Sequence, residues 1–264
     1  MTFITTTLLG AIAGLTIFLG LPIARLRNIS RRWQALLNAT TIGILVFLLW
    51  DVITKATEPI NAALNGAKAG SGRPFILLLL LFVCGFGIGL LSLVYFERQV
   101  IRPAAAEAQR SGATPTQLAM MIAIGIGVHN FAEGLAIGQS SRSGAIGLAT
   151  ILIVGFGLHN ATEGFGIAAP LTVAGTRPSW RFLALAGLIG GGPTFVGTML
   201  GYSMKSDAIF VLCLALAAGS IFYVIAELLN VGRRFQLREL AMWGVLLGFF
   251  AGYGTDLILT WAGA

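Results

Sequence analysis

The sequence is poor in charged residues and cysteine, and each shortage excludes a class of protein. Only 10% of the residues are charged, whereas an ordinary soluble domain carries about 25%. The two cysteines, Cys84 and Cys213, lie in apolar stretches, so we interpret them as packed side chains rather than a disulfide or a thiolate metal site. The net charge of +7 comes without a basic patch interleaved with aromatics, which argues against a nucleic-acid partner.

The chain is rich in long apolar runs. Hydrophobic residues make up 56% of the chain, and the mean hydropathy is +0.88. The runs are about 20 residues long, which suits a membrane-spanning helix and exceeds the ~10-residue alternating pattern of a membrane β-strand. The 35 glycines would let helices pack closely in lipid. We therefore predict an all-α integral membrane protein with one polytopic domain over residues 1–264.

Eight membrane spans can be drawn along the chain. Short connections join them, so neighbouring spans run antiparallel. The longest connections, 55–74 and 97–116, are polar and too short to form separate domains. The predicted spans lie near 3–24, 34–54, 75–96, 117–139, 143–170, 181–203, 208–230 and 240–262.

Basic residues are divided unequally between the connections. Twelve of the seventeen Lys and Arg residues lie in the first, third, fifth and seventh connections. By the positive-inside rule, these connections face the cytoplasm and both termini lie outside. We predict a multi-pass protein of the cell inner (plasma) membrane, with membrane lipid of the inner leaflet as a natural partner of the positive charge.

One motif occurs twice, in the predicted fourth and fifth spans. The copies read His-Asn-Phe-Ala-Glu-Gly over 129–134 and His-Asn-Ala-Thr-Glu-Gly over 159–164. In each copy the His and the Glu are four residues apart, so they share a helix face, and the Asn lies beside that face. An ionisable side chain at the bilayer centre costs about 2.5–3.5 kcal/mol. Because the chain accepts this cost twice, we predict that a divalent cation binds between the two spans.

The antiparallel course of the two spans brings both copies to one depth, related by a two-fold axis in the membrane plane. Imidazole and carboxylate ligands suit Zn²⁺, Cd²⁺, Fe²⁺ or Mn²⁺ better than Mg²⁺ or Ca²⁺, and four of them could complete a tetrahedral zinc site. Hydrogen bonds that only join the helices are the alternative interpretation. The predicted ligand set is His129, Glu133, His159 and Glu163, with Asn130 and Asn160 beside it.

The glycines that end the two copies have two interpretations. Gly134 and Gly164 either permit close helix packing or loosen each helix so that backbone carbonyls take part in metal binding. Pro170 follows the second copy and predicts a kink in the fifth span.

Three further acidic residues lie within or near predicted spans. Asp51, at the outer end of the second span, is either an entrance acid or a solvated interfacial residue. Glu227, near the cytoplasmic end of the seventh span, is either an exit acid or an interfacial residue near Arg233. We interpret Asp256, deeper in the eighth span, as a hydrogen-bonded residue rather than a ligand.

These features resemble the ZIP family of divalent-metal transporters, in particular its bacterial branch, which carries His-Asn-x-x-Glu-Gly in both the fourth and fifth spans. The stretches 10–14 and 19–22 are similar to the family's first span, and 217–224 is similar to its seventh. The resemblance implies a homodimer that carries metal into the cytoplasm, with eight spans in a 3+2+3 arrangement of inverted repeats. It also implies that the motif His and Glu residues form the primary metal site and that the two Asn residues contribute to a second.

The sequence departs from the family pattern in the sixth span. Close bacterial relatives carry a Glu immediately before a Pro, whereas Gly192 precedes Pro193 here, and some relatives have an acid where this chain has Asn160. We therefore predict one metal site rather than two. The expected cargo is zinc, with Cd, Fe, Mn and Co as alternatives; no prosthetic group is expected.

An intramembrane zinc metallohydrolase is the alternative function. Such an enzyme needs a metal-bound water and a general base, and in His-Glu-x-x-His zinc proteases a Glu follows the first His. Asn130 and Asn160 occupy that position here and cannot act as bases, and no Ser or Cys nucleophile accompanies either motif. The pattern therefore favours a transporter and not an enzyme.

Overall fold

The computed structural model describes residues 1–26, 30–68, 72–96, 98–99, 114–142, 146–175, 177–204 and 206–261. Within these residues the regular structure is helical, with no strand, and the predicted all-α fold class with eight helices is confirmed. The first helix, α1, is followed by two short helical segments, Ile17–Gly20 and Leu21–Arg25. The helices are α1 Phe3–Leu15, α2 Arg31–Lys68, α3 Arg73–Phe96, α4 Pro115–Arg142, α5 Ile146–Val173, α6 Trp180–Ser203, α7 Asp207–Arg233 and α8 Arg238–Trp261.

Six helical segments of the described residues are long and apolar enough to cross a membrane. Among them, Arg73–Tyr95 has the highest mean hydropathy, 2.8, and only 17% of its most apolar stretch is buried, so most of this helix lies on the outside of the helix bundle. The other candidates are Phe3–Arg25, Arg31–Gly66, Pro115–Gln139, Trp180–Ser203 and Asp207–Arg233.

The packing of the helices follows an inverted repeat. Helix α4 packs on α6 and α5 packs on α1 and its short continuation, while α3 packs on α7 and α8 packs on α2. The first three helices correspond to the last three in the order α1–α6, α2–α7 and α3–α8, and α4 corresponds to α5. Under this correspondence the α4–α6 pair becomes the α5–α1 pair, and the α3–α7 pair becomes the α8–α2 pair. Because α4 and α5 contact each other at the centre, the predicted 3+2+3 arrangement places both motif copies between the two three-helix groups.

The motif glycines lie where neighbouring backbones approach closely. A Cβ on Gly134 would overlap the carbonyl oxygen of Thr194 in α6, and a Cβ on Gly164 would overlap the carbonyl oxygen of Ile17. Both α4 and α5 are continuous through these glycines, and α5 also continues past Pro170. Of the two interpretations offered by the sequence, close packing is therefore the one that describes the structure.

Helix α2 extends further than the predicted second span. Residues 55–68, expected to be a polar connection, continue the helix as far as Lys68. Val52, Ala56 and Ile60 are buried at intervals of four residues, and Ile60 packs in a cluster with Leu78 of α3. This buried stripe stabilises the added turns by removing apolar surface from the solvent.

Candidate metal site

Helices α4 and α5 hold the two motif copies in the protein interior. The side chains of His129, Asn130 and Glu133 on α4, and of Asn160 and Glu163 on α5, are all buried. The remaining predicted ligand, His159, lies in α5, but its side chain is outside the part of the structure that is described, as is that of Asp256.

His129 contacts the carboxylates of both copies. Its Nε2 atom lies 3.2 Å from Oε1 of Glu133, one turn along α4, and 3.9 Å from Oε1 of Glu163 on α5. The exposed fraction of the Glu133 residue is 4% and that of Glu163 is 1%, so water does not screen this cluster. The antiparallel packing of α4 and α5 thus brings an imidazole and two carboxylates together.

The two motif asparagines are anchored in equivalent ways. The side-chain Nδ2 of Asn130 donates to the carbonyl oxygen of Gly190 in α6 at 2.9 Å, and Nδ2 of Asn160 donates to the carbonyl oxygen of Ala13 in α1 at 3.0 Å. Because α1 and α6 exchange under the inverted repeat, these are corresponding contacts. Asn130 differs in also donating to Oε2 of Glu163 at 2.9 Å, which ties the first copy to the second.

The two motif copies contain buried oxygen acceptors that receive no hydrogen bond from the described residues. They include Oδ1 of Asn130, Oδ1 of Asn160 and Oε2 of Glu133. An unsatisfied buried polar group costs about 1–3 kcal/mol. Each of these oxygens can be satisfied by a cation or by a hydrogen-bond donor.

The distances around His129 are close to those between ligands of one ion. Two atoms bound about 2.0–2.2 Å from a tetrahedral zinc lie about 3.3–3.6 Å apart, and the two Nε2–Oε1 distances of 3.2 and 3.9 Å fall on either side of that range. As they stand, the described His, Cys, Asp and Glu side chains include no group of three or more set to hold a metal ion.

Asp51 lies inside α2 rather than at its end and is paired with a lysine. Its Oδ2 atom is 2.7 Å from Nζ of Lys55, one turn further along, and the residue is buried. Lys55 was treated in the sequence as a residue of a connection, although its spacing of four from Asp51 is a signal for a helical ion pair.

Glu227 lies in α7, toward the end that carries Arg233, and is half-buried. Ser220 of the same helix lies against Gly125 of α4, one turn before the first motif copy. Glu227 follows Ser220 by seven residues, which is about 10 Å along the axis of α7 at 1.5 Å per residue. The structure therefore places Glu227 outside the motif cluster.

Gly192, which stands where relatives carry a Glu, faces an apolar surface. A Cβ at this position would contact the side chain of Leu188 at 3.4 Å. The residue lines a cavity of about 630 Å³ together with Leu15, Phe131 and Val196. Two residues further on, Thr194 is fully buried and its Oγ1 has no hydrogen-bond partner among the described residues, a polar position that sequence reasoning missed.

A bundle of apolar helices around a buried imidazole, carboxylate and amide cluster defines a class of protein, the multi-pass membrane transporters of cations. The family of ZIP zinc transporters matches residues 103–253, more than half of the chain and including both motif copies. The chain belongs to this family and is a divalent-metal transporter, so the resemblance seen in the sequence is confirmed. A search of curated proteins found no match.

Proposed function

We propose that the protein carries zinc across the membrane into the cytoplasm through one site between α4 and α5. The observation that supports this site most directly is the approach of His129 Nε2 to the carboxylates of both motif copies. In this proposal His129, Glu133 and Glu163 are three ligands, and His159 is the fourth.

The amide oxygens of Asn130 and Asn160 complete the binding region. Each amide donates its NH₂ group to a helix carbonyl, which leaves its oxygen as the group available to a cation. A site of nitrogen and oxygen ligands without thiolate binds zinc less tightly than a structural cysteine site, which suits cargo that must be released. Binding also requires the imidazoles to lose their protons, so metal entry is coupled to proton release.

The acidic residues outside the motifs define a direction through the protein. With the odd connections in the cytoplasm and both termini outside, Asp51 lies on the outer side of the motif cluster and Glu227 on the inner side. We propose that Asp51 attracts the entering cation and that Glu227 serves its exit. Gly192 removes a carboxylate that a second metal would need, so one metal is carried at a time, and the working unit is proposed to be a homodimer in the plasma (inner) membrane.

Uptake of radiolabelled Zn²⁺ by proteoliposomes tests the proposal. The wild-type protein should accumulate zinc, with unlabelled Zn²⁺ and Cd²⁺ competing better than Fe²⁺, Mn²⁺ or Co²⁺, and His129→Ala should abolish uptake. The matched control is Glu239→Gln, which changes an exposed charge outside the motifs. Normal uptake by His129→Ala would contradict the site, and hydrolysis of peptide or lipid without zinc movement would favour the metallohydrolase instead.

A further inference from the structure

Three helix ends that carry arginines meet at one end of the bundle. Helix α2 begins at Arg31, α7 ends at Arg233 and α8 begins at Arg238. Arg31 donates to the carbonyl oxygen of Arg234 at 3.0 Å and so ties α2 to the connection between α7 and α8. The guanidinium groups of Arg233 and Arg238 are exposed and form no ion pair within the described residues. Within the described residues, this end of the bundle therefore carries arginines whose charge is not balanced by an ion pair.

A cavity of about 490 Å³ opens between these helix ends. Arg233 and Arg238 line it at one end, and Ile42, Met242 and Val245 line it deeper in the bundle. A second cavity of about 440 Å³ adjoins it, sharing Gln236, Leu237 and Arg238 and adding Arg32, Glu239, Leu240 and Trp243. The combined space is charged at its mouth and apolar along its length.

The wall of the larger cavity also contains a buried polar atom with no partner among the described residues. Asn38 is 1% exposed, and its Nδ2 donates to the carbonyl oxygen of Leu228 at 3.1 Å, but its Oδ1 accepts no hydrogen bond from them. Because a buried oxygen of this kind is costly when unsatisfied, the cavity is suited to an occupant that brings polar groups or a bound water to the level of Asn38.

We propose that this cavity binds one anionic phospholipid. The phosphate would lie between Arg233, at the end of α7, and Arg238, at the start of α8. Backbone N–H groups at the start of α8 also favour an anion. An acyl chain would follow the apolar wall past Ile42 and Val245, and Trp243 would lie at the level of the headgroup. A zwitterionic lipid would place its own cation among the arginines, so charge complementarity selects the anionic class.

Retention of lipid by the purified protein in native mass spectrometry tests this site. The probes are phosphatidylglycerol and phosphatidylcholine with identical acyl chains. Wild-type protein should bind phosphatidylglycerol preferentially, and a double variant, Arg233→Gln with Arg238→Gln, should weaken its binding by about 25-fold, since each arginine near an anionic surface contributes about fivefold. Arg181→Gln, an exposed arginine at the start of α6, should leave binding unchanged.

A second variant and a competitor keep the test decisive. Ala241→Leu should fill the cavity and weaken phosphatidylglycerol binding while all the arginines remain. Inorganic phosphate should not displace the lipid. Equal binding of the two lipids, an equal loss in Arg181→Gln, or displacement by phosphate alone would overturn the proposal. None of these variants changes a residue proposed to bind zinc, so the lipid-binding result does not depend on the metal site.

Discussion

The two motif copies have the same residue types at the same spacing, but their asparagines are held unequally. In the first copy, Asn130 donates both to α6 and to Glu163 of the other copy, and His129 contacts both carboxylates. In the second copy, the described residues give Asn160 one hydrogen bond, to the carbonyl oxygen of Ala13 in α1. The difference indicates that Asn130 links the two copies to each other, whereas Asn160 links the second copy to α1.

The helices behind the two copies differ as well. Gly134 lies against a continuous α6, whereas Gly164 lies against Ile17, just after α1 is interrupted at Thr16. The inverted repeat therefore packs one motif glycine against a continuous helix and the other against an interrupted one. We expect the α5–α1 contact to be the one that moves more readily, since a helix break allows a change in direction.

The largest effect should come from the shared carboxylates. Glu133→Gln and Glu163→Gln should each reduce zinc uptake by more than about 100-fold, because even the loss of an outer partner of a metal ligand costs about 10–100-fold. Proteoliposome uptake normalised to folded protein is the measurement. The two variants should lose the same fraction of uptake. If one variant retained its uptake, the two carboxylates would not belong to a shared site.

Substitutions of the two motif asparagines should affect zinc binding to different degrees. Asn130→Ala removes two hydrogen bonds and leaves Oε2 of Glu163 buried without its donor, whereas Asn160→Ala removes one bond to a backbone carbonyl. We expect Asn130→Ala to weaken zinc binding about 10–100-fold and Asn160→Ala to do so less. Isothermal titration of both variants checks this order, and a larger loss for Asn160→Ala would contradict the role of Asn130 as the link between the two copies.

A smaller effect on stability should come from the motif glycines. Gly164→Ala would force a Cβ against the backbone of Ile17 and should lower the free energy of unfolding by about 1–3 kcal/mol. Gly166→Ala, two residues along the same helix, would place its Cβ 3.7 Å from the side chain of Thr41 and should be close to neutral. Thermal unfolding in detergent compares the two, and equal stabilities would refute the close-packing interpretation.

The smallest effect should be at the entrance. Asp51→Asn should raise the zinc concentration for half-maximal uptake by about fivefold or less, which corresponds to about 1 kcal/mol, because Lys55 lies 2.7 Å away and already balances most of its charge. Asp207→Asn, which changes an exposed acid at the start of α7, is the control. A loss as severe as that of Glu163→Gln would make Asp51 a ligand rather than an entrance residue.

Much of the fold was predictable because apolar runs and turn residues mark helices strongly. The repeated His-Asn-x-x-Glu-Gly also predicted the meeting of His129 with Glu163, since it required only two antiparallel neighbours. The length of α2 was not predicted, because Lys55 and Pro59 resemble the end of a span, while the burial of Ile60 depends on α3 and α7.

The finer parts of the site depend on tertiary contacts that no local pattern encodes. The carbonyls of Gly190 and Ala13 that anchor the asparagines belong to helices distant in sequence. The direction in which Gly192 faces, toward Leu188 and an apolar cavity, also follows from the rotation of α6 in the bundle. Sequence reasoning predicted the residue types of the proposed site but not how the surrounding helices hold them.

The central claim is that two motif copies build one metal site, and the zinc content of the purified protein tests it most directly. Equilibrium dialysis followed by elemental analysis should find one zinc per chain in the wild type and none in either Glu133→Gln or Glu163→Gln at the same free zinc concentration. Two zinc ions per chain in the wild type, with one retained in each variant, would show that each copy binds its own metal and would contradict the account.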